Sequence, residues 1–219
     1  MTDYALSRRK MVDCQLRTND VTDHRVLDAV EAVPRERFVP ASRQAVAYID
    51  REIAVEGSGQ RVLVKPHVMG KMVQLAGVRP DDVVLVIGAG SGYTTAVMSH
   101  LAASVVAVES DPDLARQAGE TIVELGIQNA AVVEGPLTAG LAGEGPFDVI
   151  LIDGAVEVLP QDLFRQLKDG GRLVVVEGLG GAGTVRLYQK AGEHVSGRFA
   201  FNASVPLLPG FGRVPEFQF

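Results

Sequence analysis

Tryptophan is absent from this 219-residue chain, cysteine occurs once, and aromatic residues make up only 5%. A single cysteine, Cys14, cannot form an internal disulfide, so a disulfide-stapled secreted domain is excluded. Positive charge is also in short supply. Lys and Arg number 21 against 27 Asp and Glu, a net charge of −6. That balance argues against nucleic acid as a partner, although a local basic patch stays open. No apolar run approaches the roughly 18 residues of a membrane span. The opening Met1-Thr2-Asp3-Tyr4 is polar and has no signal-peptide core. A cytoplasmic protein with neither membrane nor nucleic-acid partner is expected. No repeat period or low-complexity stretch is present, which excludes a solenoid.

What is present is aliphatic. Ala, Val, Leu and Ile carry most of a 47% apolar fraction, with mean hydropathy +0.16, enough for a sizeable core. From residue 83 onward β-branched runs alternate with Ala-rich, charge-flecked segments. Strands are expected at 83–87, 104–109, 131–133, 147–152 and 172–176, with helices at 93–102, 111–126 and 161–168. This alternation predicts a doubly wound, mostly parallel sheet with helices on both faces. Two further strands, about 184–190 and 195–208, are expected to run antiparallel. Upstream, a helix is expected over residues 3–17, with Cys14 as a buried thiol, and a second carries Val26, Leu27, Val30 and Val33 until Pro34. A short helix over 41–49 and an irregular stretch over 50–60 follow. Pro66 opens a further helix that Gly77 stops. The chain reads as one unit, residues 1–219, with a helical substrate-side region at 1–80 and a nucleotide-binding core at 81–219.

The main chemical signal is Gly88-Ala89-Gly90-Ser91-Gly92, between an apolar strand and a helix. Glycines let the backbone turn sharply and approach a ligand, and the helix that follows presents free N–H groups. A dinucleotide fingerprint needs G-x-G-x-x-G, and here the third glycine comes one residue early. The spacing G-x-G-x-G is that of S-adenosylmethionine-dependent methyltransferases. Glu109 ends the next strand, where a carboxylate can accept hydrogen bonds from both ribose hydroxyls of a nucleoside ligand. A plain strand–helix turn and a solvated strand-end acid are the alternatives.

Longer segments make the chain resemble the protein-L-isoaspartate O-methyltransferase family. They are Met11-Val12-Asp13-Cys14-Gln15-Leu16, Val33-Pro34-Arg35-Glu36-Arg37-Phe38-Val39-Pro40, Ala47-Tyr48-Ile49-Asp50-Arg51, Lys65-Pro66-His67, the glycine loop, Val106-Ala107-Val108-Glu109, Pro146-Phe147-Asp148 and Leu167-Lys168-Asp169-Gly170-Gly171-Arg172-Leu173, in the family's order. The Val-Pro-Arg-x-x-Phe-Val-Pro segment is the most specific. The resemblance implies a Rossmann-like methyltransferase sheet with a reversed C-terminal strand and N-terminal helices over the cofactor. It also implies methyl transfer from S-adenosylmethionine to the free carboxylate of isoaspartyl residues in damaged protein, as a step of repair. Protein or peptide carrying isoaspartate is the implied partner. Gly88, Ala89, Gly90, Ser91, Gly92, Glu109, Glu134 and Asp153 are the implied cofactor-binding set. No catalytic residue is assigned, because a carboxylate is already ionised at neutral pH and needs no strong base.

Three positions depart from the family pattern. The substrate-site serine is Val64 when aligned on Pro66, and the stretch Gly59-Gln60-Arg61-Val62-Leu63-Val64 is one residue longer than usual. No Ser or Thr lies between Gly59 and Pro66. The acid two residues before the first loop glycine is Val86. The family's Gly-Asp-Gly appears as Glu134-Gly135-Pro136, where Glu134 either replaces the aspartate or is a solvated loop acid. These changes leave two other outcomes open: another methyl acceptor, or a cofactor- or partner-binding relative without catalysis. Asp153 either touches ligand or caps a turn. No metal is expected, since the acids and the four histidines lack paired ligand spacing. Glu109→Ala is expected to weaken S-adenosylmethionine binding in calorimetric titration by ~1.5–3 kcal/mol, the scale of a charge-assisted hydrogen bond.

Overall fold

Val84, Leu85, Val86 and Ile87 are all fully buried, which is why the central strand is apolar without alternation. In the computed structural model this strand lies near the middle of a seven-stranded sheet. The structure describes residues 3–55, 61–178 and 182–213. Two short strands come first, β1 (Ile53–Ala54) and β2 (Val62–Leu63), paired antiparallel outside the main sheet. The main sheet comprises β3 (Val83–Ile87), β4 (Ser104–Glu109), β5 (Ala130–Glu134), β6 (Phe147–Val156), β7 (Leu167–Glu177), β8 (Thr184–Ala191) and β9 (His194–Asn202). Their spatial order is β5-β4-β3-β6-β7-β8-β9, with β5 to β7 parallel and β8 and β9 each antiparallel to the strand before. The chain therefore reverses direction across the sheet between β3 and β6. That crevice at the strands' carboxyl ends is where α/β proteins place ligands.

The helices are α1 (Tyr4–Met11), α2 (His24–Ala32), α3 (Pro66–Ala76), α4 (Tyr93–Ser99), α5 (Pro112–Glu124) and α6 (Gln161–Arg165). Asp3, Asp23 and Asp111 cap α1, α2 and α5 by accepting first-turn backbone N–H bonds. One core contains residues of the N-terminal helices, α3 and α4 together with Val84 and Val86. A second, on the other face, contains Leu85, Ile87, Phe147, Phe164 and Phe211. Alternate residues of one strand thus serve opposite cores.

Several expectations change. The helix expected over 3–17 ends at Met11 and continues as a π turn, Val12–Leu16. The wide turn puts Met11, Val12 and Leu16 in the core and leaves Cys14 exposed, not buried. The helix expected over 161–168 stops at Arg165, because Leu167 already pairs with Phe147 in the sheet. The irregular stretch over 50–60 contains β1, and Gly57 and Gly59 within it lie outside the described residues. The last expected strand ends at Asn202 rather than 208. Beyond it the chain crosses the end of β6, where Ala155 N–H donates to Pro206 O at 2.9 Å and Leu208 N–H to Ala155 O at 2.9 Å.

Arg35 ties the N-terminal layer together. It follows Val33-Pro34, is 0% exposed, and starts a 3-10 turn over Arg35–Phe38. Its Nε donates to Ala47 O at 2.9 Å and its Nη2 to Val64 O at 2.8 Å. The guanidinium also stands 4.8 Å over the Tyr93 ring, at the first residue of α4. One side chain thus fixes the segment before α3 against the glycine loop. Arg35→Met removes two charge-assisted bonds worth ~1.5–3 kcal/mol each while relieving the cost of a buried cation. The expected net loss in urea unfolding is about 2 kcal/mol, and an unchanged midpoint contradicts this role for Arg35.

Candidate cofactor site

The glycine turn joins β3 to α4 and is fastened to β4. Gly88 and Ala89 N–H groups donate to Val108 O at 2.9 and 3.1 Å, and Gly92 N–H donates to Ala89 O at 2.8 Å. Gly88, Gly90 and Gly92 have φ values of +85°, +55° and +92°, a region that L side chains rarely enter. Gly92 has a second reason to be glycine: a Cβ there would stand 3.1 Å from Ala118 Cβ on α5. The turn therefore holds its shape by its own backbone bonds.

Glu109, at the tip of β4, aims its carboxylate into this turn and is 0% exposed. Its Oε2 accepts from Gly90 N–H at 2.7 Å, and its Oε1 from Ser110 N–H at 2.8 Å and Asp111 N–H at 3.2 Å. Oε2 has a further partner, the Arg61 Nη2 group, in a buried ion pair. Arg61 lies just before β2 and is 8% exposed. Among the described residues its Nε has no hydrogen-bond partner.

Asp153 was expected where β6 ends, but β6 runs on to Val156. The pairing with β3 stops at Ile87↔Ile152, so Asp153 is the first residue of β6 to pass the glycine turn. Burial pushes its carboxyl above the usual carboxylate range, while Thr94, Arg61 and Arg35 pull it down. Asp153 lines a cavity of about 10 Å³ with Arg61, Val62, Val64, Gly154 and Leu208. That volume barely admits one water. Leu208 closes it from the C-terminal segment: a Cβ on Gly154 would come 2.5 Å from Leu208 Cγ.

The chemistry of these residues suits a nucleoside ligand. A Cβ on Gly88 would meet Leu208 at 3.1 Å and Arg61 Nη2 at 3.2 Å, so glycine is what lets other groups lie directly against the turn. Ser91 Oγ is buried without a partner among the described residues. The space beside the turn is taken by the chain's own Arg61 and Leu208.

The residues expected to form the site are distributed unevenly. Gly88, Ala89, Gly90, Ser91, Gly92 and Glu109 converge, with Asp153 beside them. Glu134 ends the edge strand β5, opposite Glu109 in register, and is exposed. Val64 is 4% exposed and faces the small cavity. Arg61, Arg35 and Leu208 were not expected at the site. Arg61 lies within the stretch that is one residue longer than the family's usual spacing, and nothing else in the sequence singled it out. Among the described residues no group of three or more His, Cys, Asp or Glu is placed to hold a metal, and no helix is long and apolar enough to cross a membrane.

Comparison with known proteins converges on one family. The family model for protein-L-isoaspartate(D-aspartate) O-methyltransferase matches residues 7–207. The chain is 40% identical over 178 residues to a protein-L-isoaspartate O-methyltransferase of Koribacter versatilis, covering 81% of this chain and 79% of that one. It is 38% identical over 214 residues to the enzyme of the same name in Methylorubrum populi, covering 97% and 99%. A solved protein-L-isoaspartate O-methyltransferase superposes with TM-score 0.83 at 27% identity, over 93% of this chain. This chain spans 66% of that protein's length. A Plasmodium falciparum structure determined with S-adenosyl-L-homocysteine shares the fold, with TM-score 0.78 at 19% identity over 92% of this chain and 97% of that one.

The Asp153 carboxyl gives the site a pH signature. Its raised pKa means that the folded state holds the proton more tightly than the unfolded chain does. Its contribution to stability is full below the ordinary value of 3.8 and is lost as pH rises through the folded-state value. Unfolding free energies across that window are expected to fall with rising pH more steeply for the wild type than for Asp153→Asn. Parallel profiles contradict the assignment.

Proposed function

The chain belongs to the protein-L-isoaspartate(D-aspartate) O-methyltransferase family, and from that premise we propose that it esterifies the free carboxylate of isoaspartyl residues in protein, using S-adenosylmethionine. The observation that carries this reading is the family match over residues 7–207, supported by relatives of 38% and 40% identity. We read residues 1–219 as one methyltransferase unit: a cofactor-binding core at 81–219 and a substrate-side layer at 1–80. A cytoplasmic setting suits an exposed, unpaired Cys14 thiol. A net charge of −6 gives no support to a nucleic-acid partner.

The cofactor role falls to the turn Gly88–Gly92, whose three glycines at positive φ leave the backbone open to close approach, and to Glu109 as the acceptor for ribose hydroxyls. Asp153 stands beside this turn and lines the small cavity with Val64. Glu134 lies one strand further out, opposite Glu109 in register, and is the next acid assigned to the cofactor in this reading. When bound, S-adenosylmethionine supplies a methyl group on a sulfonium, which passes to the carboxylate oxygen as the C–S bond breaks with its electron pair left on sulfur, so no proton has to move. The protein's part is alignment and exclusion of water. The apolar walls given by Val62, Val64 and Leu208 suit that work, because a carboxylate stripped of water is a better nucleophile.

The test is methyl transfer from radiolabelled S-adenosylmethionine to an isoaspartyl peptide and to the same peptide with ordinary aspartate. Base-labile label is expected on the isoaspartyl peptide at least about tenfold above the control. Equal labelling of both peptides, or label on neither, contradicts the assigned acceptor.

A further inference from the structure

The family's substrate-side hydroxyl is missing here, and a buried arginine stands close by. Arg61 lies three residues before Val64, and both line the same small cavity with Asp153. Its Nη2 group bonds Glu109 Oε2, the oxygen that also accepts from Gly90 N–H. The same Nη2 group is 3.2 Å from where a Cβ of Gly88 would stand, so it lies over the glycine turn itself. A ribose hydroxyl that takes Glu109 Oε2 as its acceptor meets Arg61 already there. The guanidinium has to leave that oxygen for such a bond to form.

An arginine does not give up its proton, so displacement cannot neutralise it. In a site closed to water it needs another anion. The cofactor brings a net positive charge, a sulfonium together with an amino-acid group whose carboxylate is balanced by its own ammonium. The other reactant brings a carboxylate, whose geometry a guanidinium fork matches. In the free protein that fork is under-used, since Arg61 Nε has no partner among the described residues. The charges also balance: Arg61 and Glu109 cancel before binding, and the sulfonium and acceptor carboxylate cancel once both reactants are in.

We propose that Arg61 serves two carboxylates in turn: Glu109 in the free protein and, once ribose has taken its place there, the carboxylate of the methyl acceptor. Arg61 is then the specificity-determining cation of the acceptor site, standing in for the missing hydroxyl. Because the cofactor frees it, acceptor binding depends on cofactor binding. This rests on the acceptor being a carboxylate, as in the proposed function. Among the described residues Glu109 pairs with Arg61, and Asp153 stands within reach of the charges of Arg61, Glu109 and Arg35. Asp153 is the competing destination for the freed guanidinium, and the experiment separates the two.

The experiment titrates S-adenosylhomocysteine into the wild type, Arg61→Gln and Arg61→Lys by calorimetry. It then measures binding of a fluorescent isoaspartyl peptide by anisotropy, with and without saturating S-adenosylhomocysteine. The wild type is expected to bind peptide at least about tenfold more tightly with the cofactor product present. Arg61→Gln is expected to bind S-adenosylhomocysteine severalfold more tightly, because no internal cation competes, and to lose about tenfold or more in peptide affinity. Arg61→Lys keeps the charge without the fork and is expected to fall between them. If Arg61→Gln does not fold, a Lys variant with wild-type peptide affinity overturns the acceptor role, and one with reduced affinity supports it. Weaker S-adenosylhomocysteine binding by Arg61→Gln overturns the displacement, since Arg61 then helps hold the cofactor. Unchanged peptide affinity in Arg61→Gln overturns the acceptor role and points to Asp153 as the destination. A wild type that binds S-adenosylhomocysteine but no isoaspartyl peptide overturns the proposed function and the acceptor role with it, a result distinct from both.

Discussion

The buried pair between Arg61 and Glu109 sets the condition of the whole site. Glu109 has 0% exposure and sits in a corner formed by β3, β4 and the glycine turn, where an uncompensated carboxylate is costly. Backbone N–H groups of Gly90, Ser110 and Asp111 solvate it from the protein side, and the Arg61 guanidinium supplies the opposite charge. The same carboxylate fixes the loop that precedes α4, because its bond from Gly90 holds the turn against β4. On the proposed reading, ligand binding at this place is an exchange of partners on one buried anion, not the filling of an empty cleft.

The surroundings of the pair follow from that exchange. Arg35 anchors the chain three residues beyond Arg61 by holding Val64 O, and also holds Ala47 O in the N-terminal layer. The stretch that carries Arg61 is thus pinned downstream by a residue of the Val-Pro-Arg segment. On the opposite side Leu208 rests on Gly154 and beside Gly88, carried there by backbone bonds between the C-terminal segment and Ala155. Two parts of the chain far apart in sequence close over one turn, leaving only about 10 Å³ between them. That is a water-excluding arrangement of the kind a methyl transfer to carboxylate uses.

The sequence made the centre of the sheet legible and its lids hard to read. β3, β4 and β6 are near-continuous apolar runs because both of their faces are covered, and this pattern survives without any alignment. Gly88 to Gly92 and Glu109 could be read because their spacing is local to one strand–turn–helix–strand unit. Arg61 could not, since its partner lies 48 residues away and a lone arginine near an apolar stretch reads as solvated. Leu208 was lost for a related reason: an apolar segment after Phe201 looks like more strand, while the observed chain leaves the sheet at Asn202 to bond with Ala155. Cys14 was assigned to the wrong face because a π turn breaks the 3.6-residue period that the assignment assumed. The reach of Asp153 past β3 is a matter of register between strands, which no single strand's sequence contains.

The most direct measurement is a crystal structure of the wild-type protein with S-adenosylhomocysteine bound. The ribose hydroxyls are expected on Glu109 Oε2, with the Gly90 bond retained and the Arg61 guanidinium moved off that oxygen. A complex in which Arg61 still pairs with Glu109 while the ribose is held elsewhere contradicts the account.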